Sequence, residues 1–368
     1  MDDDFDDIEV PEKSNRISGT HLHEAIANGD FEAFEQLVKD GAPMEVRNCH
    51  GLTPLQVVCA KKEHEMASSL LRAGCQANAK SSSGGKTALA LAAFVGHFEI
   101  FESLINHGAD IDCKDDHGWT ILHEAVLGNS VEIVEHVCKI RPKMKYTECT
   151  NGRTPLHLAA QNGHSNIVEY YLEKLPEEDR NPKLITSNVQ FQGRTPLHNA
   201  AEGGYLEIVK IITKYLKNIN PKNANGLTPL HLAAQFGHLS IVEFFVSKVD
   251  SINPALGPIY KSMTPFYVAA DNGHLDIIQY YLEKLPMEDK NPKLNSSDVN
   301  FNGRTSLHAA AGKGHLDIVQ AIHYYLPDGN INPCDANGET PLHFAASGGH
   351  LQIVKYFVEN LVNINPAG

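Results

Sequence analysis

The chain has 368 residues, 42% of them hydrophobic, and a formal net charge of −14. This hydrophobic content is ordinary for a folded protein and excludes disorder along the whole chain. The negative charge disfavours binding to nucleic acid, whose phosphates it would repel. The sequence has no run of about 18 apolar residues, so we predict no insertion into a membrane.

Residues 1–17 are predicted to form an acidic N-terminal tail. Residues 1–13 carry seven acidic side chains against the single base Lys13, a net charge of −6. A signal peptide needs basic and then apolar residues, and this segment does not resemble one. We expect a disordered, solvated tail. The alternative is a peptide that anchors a partner through Phe5, Ile8 and Val10.

A short pattern then recurs ten times between residues 18 and 368. Its clearest form is Thr154-Pro155-Leu156-His157-Leu158-Ala159-Ala160, followed by Gly163-His164 and Ile167-Val168. The period is near 33 residues, and a fixed period of this kind indicates a solenoid of stacked supersecondary units. The repeats begin at Ser18, Gly51, Gly85, Gly118, Gly152, Gly193, Gly226, Ser262, Gly303 and Gly338.

Local chemistry predicts a turn, a helix, a second turn and a second helix in each repeat. In the repeat that begins at Gly152, Thr154 is suited to cap a helix and Pro155 to occupy its first position, where a missing N–H costs nothing. Gly163 predicts a left-handed end to this helix. Ile167-Val168 begins the apolar stripe of the second helix.

The order of these features resembles the ankyrin repeat family. Turn glycine, Thr-Pro-Leu-His, Ala-Ala, Gly-His and Ile-Val recur in that order over roughly residues 18–368. The resemblance implies an all-α solenoid of stacked helix-turn-helix units with short hairpin loops. It also implies that partner proteins bind on the concave face, against the hairpins and the first helices.

Two repeats depart from the pattern where the first helix should end. Repeat 2 has Lys62 and repeat 4 has Asn129 at the position that is glycine in most repeats. Asparagine tolerates the left-handed conformation better than other side chains do. We expect repeats 2 and 4 to be less regular than the others.

A longer period lies above the first, because repeats 5–7 resemble repeats 8–10. The first repeat of each block carries an insertion, and we expect the two loops on the same side of the array, either as a binding face or as tolerated surface loops. The C-terminal Ile364-Asn365-Pro366-Ala367 matches the run at 252–255 that leads into repeat 8. This match predicts a piece of a longer protein, or a last repeat that something else covers.

The 20 histidines raise the question of a metal site. Seven stand at the fourth position of Thr-Pro-Leu-His, six follow the glycine that ends the first helix, and His21 replaces a proline, so the repeat pattern explains 14. The ankyrin resemblance implies that the first set hydrogen-bonds the turn and ties neighbouring repeats. The other six show no ligand spacing, so we predict no metal site.

Other chemical motifs are weak. Residues 83–87 look like the end of a phosphate-binding loop, but Lys80 stands where that loop needs glycine. No catalytic constellation appears elsewhere, so we predict no catalytic residue and no cofactor. Seven cysteines without C-x-x-C spacing indicate reduced thiols and a cytoplasmic protein, with the nucleus as the alternative.

Candidate binding residues occur between the turn glycine and the capping threonine. Trp119, the only tryptophan in the chain, occupies this position, as do Arg153, Arg194 and Arg304. Tryptophan and arginine are the residues that most often dominate the energy of protein interfaces. We therefore predict these four as contacts to a partner.

Two phenylalanines extend the candidate set. Phe94 and Phe236 lie near the ends of first helices, at positions where the pattern tolerates polar residues. We predict a patch from Phe94 through Trp119 to Arg153 and Arg194. The alternative is a scatter of surface apolar groups, which is normal for soluble proteins.

These observations predict a non-catalytic, monomeric scaffold or adaptor that binds a partner protein on its concave face. One alternative is the cytosolic ankyrin region of a larger protein, such as a channel, a ligase adaptor or an inhibitor of a transcription factor. Another is an enzyme with a small-molecule site in the groove. That alternative needs converging polar residues with perturbed pKa values, and the sequence points to none.

Overall fold

The computed structural model describes residues 21–174, 193–249, 263–284, 303–326 and 331–361. The chain divides into two compact units, Met1–Glu173 and Lys174–Gly368. Several expectations lie outside the described residues: the acidic tail at 1–17, both insertions and the C-terminal run at 364–367.

The first unit is helical, with one 3-10 turn at Met144–Tyr146 and an isolated β-bridge between Lys114 and Thr120. In its described residues ten α-helices begin, two for each of five repeats. They are α1 (His21–Asn28), α2 (Phe31–Lys39), α3 (Pro54–Lys61), α4 (His64–Arg72), α5 (Ala88–Val95), α6 (Phe98–Asn106), α7 (Ile121–Leu127), α8 (Val131–Ile140), α9 (Pro155–Gln161) and α10 (Ser165–Lys174).

The second unit repeats this arrangement. Its described residues form ten further α-helices and no strand. They are α11 (Pro196–Glu202), α12 (Leu206–Thr213), α13 (Pro229–Gln235), α14 (Leu239–Val246), α15 (Pro265–Asn272), α16 (Leu275–Lys284), α17 (Ser306–Lys313), α18 (Leu316–Tyr324), α19 (Pro341–Ser347) and α20 (Leu351–Asn360). The predicted all-α repeat fold is confirmed.

The first helix of a repeat begins where the sequence predicts. Thr154 has an extended backbone (φ −97°, ψ 165°) and caps α9, with Pro155 at the first helical position. The N–H of Thr154 donates to Nδ1 of His157 at 3.3 Å. Thr154 and His157 form a capping box, in which each side chain pairs with the backbone N–H of the other residue. The box pairs N–H groups that the start of a helix leaves without a partner, and it recurs in most of the described repeats.

The ends of the first helices explain how repeats 2 and 4 stay regular. Gly96 ends α5 with φ 73°, a left-handed conformation that glycine adopts without strain. Lys62 and Asn129 take the same conformation, with φ 64° and 54°. Both repeats keep two full helices, so their expected irregularity is confined to one strained residue each.

The core lies between neighbouring repeats and between the two helices of each repeat. Ala159 and Ala160 of α9 are fully buried, as are Ile167, Val168 and Leu172 of α10. First helices of adjacent repeats contact each other more extensively than second helices do, as expected when small alanines face a neighbour. In α2, by contrast, Phe34 is the one buried side chain, and the other residues of the helix are exposed or half-buried.

One set of histidines ties a repeat to the next at five junctions. In the described residues, Nε2–H of five Thr-Pro-Leu-His histidines donates to a carbonyl of the following repeat at 3.0–3.3 Å. In each case the acceptor is the residue just before the next capping threonine. His308, for example, donates to the carbonyl of Glu339. The prediction from the ankyrin resemblance is confirmed.

A second set of histidines ties a repeat to the one before it at five junctions of the described residues. Histidines that follow the helix-ending glycine donate from Nε2–H to a carbonyl at the end of the preceding first helix, at 2.8–3.3 Å. His238, for example, donates to the carbonyl of Glu202. At these junctions the imidazoles contact backbone, so the bonds do not depend on the neighbour's side chains.

Repeat 2 achieves the same contacts with glutamine. The N–H of Thr53 donates to Oε1 of Gln56 at 2.9 Å. Nε2 of Gln56 donates to the carbonyls of Ala79 and Lys86 at 2.8 and 2.9 Å. Gln56 thus reproduces both roles of the histidine with a side chain that does not titrate.

Candidate partner-binding surface

Four of the six predicted site residues stand just before a capping threonine, at what we call the pre-cap position. At most of these positions the carbonyl accepts the inter-repeat histidine or glutamine, as at Arg153 and Lys86. The carbonyl of Trp119 instead accepts the N–H of Asp115 at 3.0 Å, because repeat 3 has Ala90 in place of the histidine. In the described residues this position holds Leu52, Lys86, Trp119, Arg153, Arg194, Leu227, Met263, Arg304 and Glu339.

In the first unit an ion pair joins the pre-cap position of repeat 3 to the first helix of repeat 4. Nζ of Lys86 lies 3.0 Å from Oε1 and 3.2 Å from Oε2 of Glu124. The same ammonium lies 6.0 Å from the ring centroids of Phe94 and of Trp119. A cation between two aromatic faces and a carboxylate is stabilised by all three. These four residues form what we call the Lys86 cluster.

Trp119 is the most buried member of the predicted patch. The residue is 7% exposed, its ring lies 5.9 Å from that of His123, and its backbone N–H donates to Oδ1 of Asp115 at 2.7 Å. Little of the indole is available to a partner. Contact of Trp119 with a partner stays a prediction, to which the structure adds a role in packing the first unit.

Glu124 was not among the predicted site residues. It is 1% exposed, at a helix position that holds buried leucine in repeats 5 and 7. Burial raises the pKa of its carboxyl, and the nearby Lys86 opposes this rise. The sequence did carry a signal for this residue, because a charged side chain occupies a position of the first helix that is apolar in most other repeats. Its partner, Lys86, lies 38 residues away in the sequence.

His123, the neighbour of Glu124 in α7, is fully buried. Burial lowers its pKa to about 4, and the hydrogen bond to the carbonyl of Arg153 acts in the opposite direction. The ring is therefore neutral at physiological pH, with Nδ1 as acceptor and Nε2–H as donor. Arg153 itself is half-buried at the pre-cap position of repeat 5.

In the second unit Arg194 and Arg304 are both held by acids of the same chain. Arg194 pairs with Glu202, the last residue of α11. Nε of Arg304 lies 3.4 Å from Oδ2 of Asp335, and one of its terminal nitrogens lies 3.5 Å from Glu339. The Arg304 guanidinium also stacks on the ring of Phe344, 4.5 Å from its centroid.

Phe236 is the predicted site residue most open to solvent. It caps the C-terminal end of α13 and is 46% exposed. Phe94, in the last turn of α5, is half-buried beside Lys86. The two phenylalanines differ in exposure and occupy successive positions of the repeat, since Phe94 aligns with Gln235 and Phe236 with Val95.

The structure brings part of the predicted patch together. Phe94 and Trp119 share the Lys86 ammonium, and Arg153 follows in the next repeat of the first unit. Arg194, Phe236 and Arg304 belong to the second unit. The continuous patch that was predicted to run on to Arg194 stays a prediction.

The resemblance of residues 83–87 to a phosphate loop has a different explanation. Lys86, which would have to meet the phosphate, directs its ammonium to Glu124. Gly85 has φ 66°, and a Cβ at this position would collide with the carboxylate of Asp116 in the next hairpin. A carboxylate on each side would repel a phosphate, so these residues serve the contact between repeats 3 and 4.

No group of three histidine, cysteine or acidic side chains suited to hold a metal occurs among the described residues.

All seven cysteines are free thiols. Burial raises the pKa of Cys59 and raises that of Cys75 to about 12, so both are protonated and unreactive at neutral pH. Of the helices that the structure describes, none combines the length and apolarity needed to cross a bilayer.

Family models match most of the chain. The model described as ankyrin repeats in three copies matches residues 22–115, 107–183, 174–256 and 251–332. The model described as ankyrin repeats in many copies matches residues 307–358. Together these matches cover the repeats that the sequence pattern delimits.

Among curated proteins, tyrosine-protein kinase HTK16 of Hydra vulgaris is 30% identical over 157 residues, 41% of this chain and 20% of the kinase. Transient receptor potential cation channel subfamily A member 1 of Homo sapiens is 28% identical over 174 residues, 45% of this chain and 16% of the channel. Ankyrin repeat and SOCS box protein 3 of Bos taurus is 36% identical over 85 residues, 23% of this chain and 16% of that protein. The chain thus spans a fifth or less of each of these relatives.

Proposed function

This chain belongs to the ankyrin repeat family, and we propose that it is a non-catalytic scaffold or adaptor that binds partner proteins through its pre-cap side chains and first helices. Ankyrin repeats imply interaction between proteins. The observation that carries the finer proposal is Phe236, a large aromatic side chain left 46% exposed at the end of a first helix. An aromatic side chain of this kind is a suitable anchor for a partner.

The backbone beneath this surface supports the proposal. Histidines hold the pre-cap carbonyls from one side, and a second set holds the ends of the first helices from the other. A surface whose backbone is already fixed loses little conformational entropy when a partner binds. Affinity then depends on a few side chains, among which Phe236, Arg304 and Arg153 are our candidates.

Binding on the concave face, a monomeric state and a cytoplasmic location are parts of the same proposal. The location rests on the scattered, unpaired cysteines. The Bos taurus relative is named for ankyrin repeats together with a SOCS box, and the human relative is a channel. These relatives favour a second candidate, in which this chain is the ankyrin region of a larger protein.

Site-specific photo-crosslinking tests the proposed surface. A photoreactive phenylalanine replaces Phe236 in one variant and Tyr324 in a matched control. Tyr324 is 83% exposed on a second helix of the same unit. After irradiation in cell extract, we expect the same partner bands with every replicate of the Phe236 variant and none with the control.

Crosslinks from position 324 alone would move the binding surface to the second helices. Equal crosslinking from both positions would indicate non-specific contact and would contradict the proposed site. Mass spectrometry of the bands that appear only with the Phe236 variant would identify the partner class.

A further inference from the structure

The Lys86 cluster contains a buried charge at a position that other repeats fill with apolar side chains. Glu124 is 1% exposed, whereas the same position of α9, α13 and α15 holds Leu158, Leu232 and Val268. Burying a carboxylate is costly unless a cation neutralises it. The ammonium of Lys86 supplies that cation at 3.0 Å.

The surroundings of Lys86 suit a cation in general rather than lysine in particular. Phe94 and Trp119 present rings at 6.0 Å from the ammonium, and aromatic faces attract ammonium and guanidinium ions alike. A small cavity next to the carboxylate is lined by Thr87, Trp119 and Glu124, with Asp115 at its edge. Asp115 adds negative potential at Glu124, which further favours a positive guest.

The backbone of Lys86 is held independently of its side chain. Its N–H donates to Oγ of Ser81 at 2.9 Å, and its carbonyl accepts from Nε2 of Gln56 at 2.9 Å and from the N–H of Ser81 at 2.8 Å. The ammonium makes its contacts at the end of a flexible four-carbon chain. The side chain is therefore free to leave without disturbing the hairpin.

We propose that Lys86 holds the place of a cationic side chain, lysine or arginine, that a partner protein inserts between Phe94 and Trp119 against Glu124. This inference rests on the proposed function and names the chemistry of the partner at one site. On binding, the partner's cation replaces the Lys86 ammonium, which moves into solvent, so Glu124 stays neutralised throughout. The net charge of −14 favours the approach of a basic segment.

The exchange explains how a nearly buried aromatic residue takes part in recognition. The guest contacts the ring faces of Phe94 and Trp119 only after Lys86 has left. Because one cation replaces another, the cost of displacement is small, and the remaining contacts of the partner set the affinity. Lys86 would also weaken binding of isolated cations, since they must compete with a tethered one.

A titration with a small cation tests the inference without any protein partner. The probe is methylammonium chloride, and sodium chloride at equal ionic strength is the control. Trp119 is the only tryptophan, so tryptophan fluorescence reports on this cluster alone. The chains are wild type, Lys86→Ala, and Lys86→Ala combined with Glu124→Gln.

We expect Lys86→Ala to show a saturable fluorescence change and a raised Tm with methylammonium but not with sodium. The double variant should bind about tenfold more weakly or not at all, because Gln no longer attracts the cation. Wild type should respond more weakly than Lys86→Ala. Equal responses of Lys86→Ala to methylammonium and sodium would overturn the inference.

If Lys86→Ala does not fold even with the probe present, the wild-type chain decides. Tetramethylammonium should accelerate acylation of the Lys86 amine, measured by mass spectrometry, relative to sodium at equal ionic strength. No acceleration would overturn the inference. Since neither experiment uses a partner, a failed crosslinking experiment would count against the proposed function and not against this site.

Discussion

The two units place a pre-cap cation against acidic side chains in different ways. In the first unit, Lys86 contacts a carboxylate on a first helix, and Glu124 is consequently 1% exposed. In the second, Arg304, whose side chain is 35% exposed, contacts the buried Asp335 of the following hairpin and the half-exposed Glu339 at the next pre-cap position. Asp335 also accepts the backbone N–H groups of Asn337 and Glu339, so the backbone shares with Arg304 the stabilisation of this carboxylate.

The folded state therefore depends on Lys86 and on Arg304 to different degrees. Glu124 depends on a cation, because loss of Lys86 without a replacement leaves a charge in a poorly solvated place. Asp335 depends on its cation less, because it keeps hydrogen bonds from the backbone N–H groups of Asn337 and Glu339 when Arg304 is lost.

Trp119→Ala should destabilise the first unit by about 4 kcal/mol, because a nearly buried indole is replaced by a cavity. Phe236→Ala is the matched control and should change the free energy of unfolding by less than about 0.5 kcal/mol, since its ring is already half exposed. Urea unfolding followed by circular dichroism measures both. Equal effects of the two substitutions would break the comparison.

Lys86→Ala should cost about 3 kcal/mol by leaving Glu124 buried without a counter-charge. Adding Glu124→Leu should restore most of this loss, because leucine occupies the same position in repeats 5 and 7. The double-mutant cycle is measured by urea unfolding of the four chains. A Lys86→Ala cost that Glu124→Leu leaves unchanged would mean that Lys86 acts through its stem and not through its charge.

Acid should weaken the first unit through His123. The pKa of His123 is about 4 in the folded chain, below the usual value of 6.5. Below pH 6.5 the imidazole therefore binds a proton in the unfolded chain but stays neutral in the folded chain. Stability is therefore unaffected above that pH and falls as the pH is lowered toward 4, by about 2 kcal/mol near pH 5.

His123→Gln should reduce this loss while keeping stability at neutral pH, because Gln56 makes the equivalent hydrogen bonds in repeat 2. Urea midpoints across the pH range give the slope for each chain. A slope that does not change in the glutamine variant would assign the acid sensitivity to other groups.

Arg304→Ala should cost about 1 kcal/mol, because the buried Asp335 keeps its hydrogen bonds from the backbone N–H groups of Asn337 and Glu339 when the arginine is lost. High salt should reduce the part of this cost that comes from the exposed Glu339, but it should have little effect on the cost of Lys86→Ala, whose acidic partner Glu124 is buried. The measurement is the Tm of both variants at low and high sodium chloride. A larger loss for Arg304→Ala than for Lys86→Ala would reverse the comparison.

The fold could be predicted from the sequence because its determinants are local. Thr154, Pro155 and Gly163 each favour one backbone conformation wherever they occur, and the pattern places them at fixed spacing. Even Lys62 and Asn129, which lack glycine's freedom, are forced into the left-handed conformation by the helices on either side. Prediction succeeded where neighbours in sequence decide the structure.

The site was predicted less completely because its contacts join different repeats. The burial of Trp119 depends on Lys86 and His123, and the motif gives no information about how a pre-cap side chain packs on its neighbour. Glu124 carried a signal, a charge in an apolar register, but its meaning required knowledge of Lys86 in the preceding repeat. Binding by Phe94, Trp119, Arg153, Arg194, Phe236 and Arg304 remains to be tested.

The two sets of inter-repeat histidines bear on how such a chain changes length during evolution. Their donors meet carbonyls, which every residue possesses, so almost any repeat is an acceptable neighbour for any other. A block of three repeats could therefore be duplicated without new adaptation at its borders, as the likeness of repeats 5–7 to 8–10 suggests. Repeats 3 and 4 are different, because Lys86 of one repeat neutralises Glu124 of the other. A recombination that separated these two repeats would leave Glu124 buried without a counter-charge.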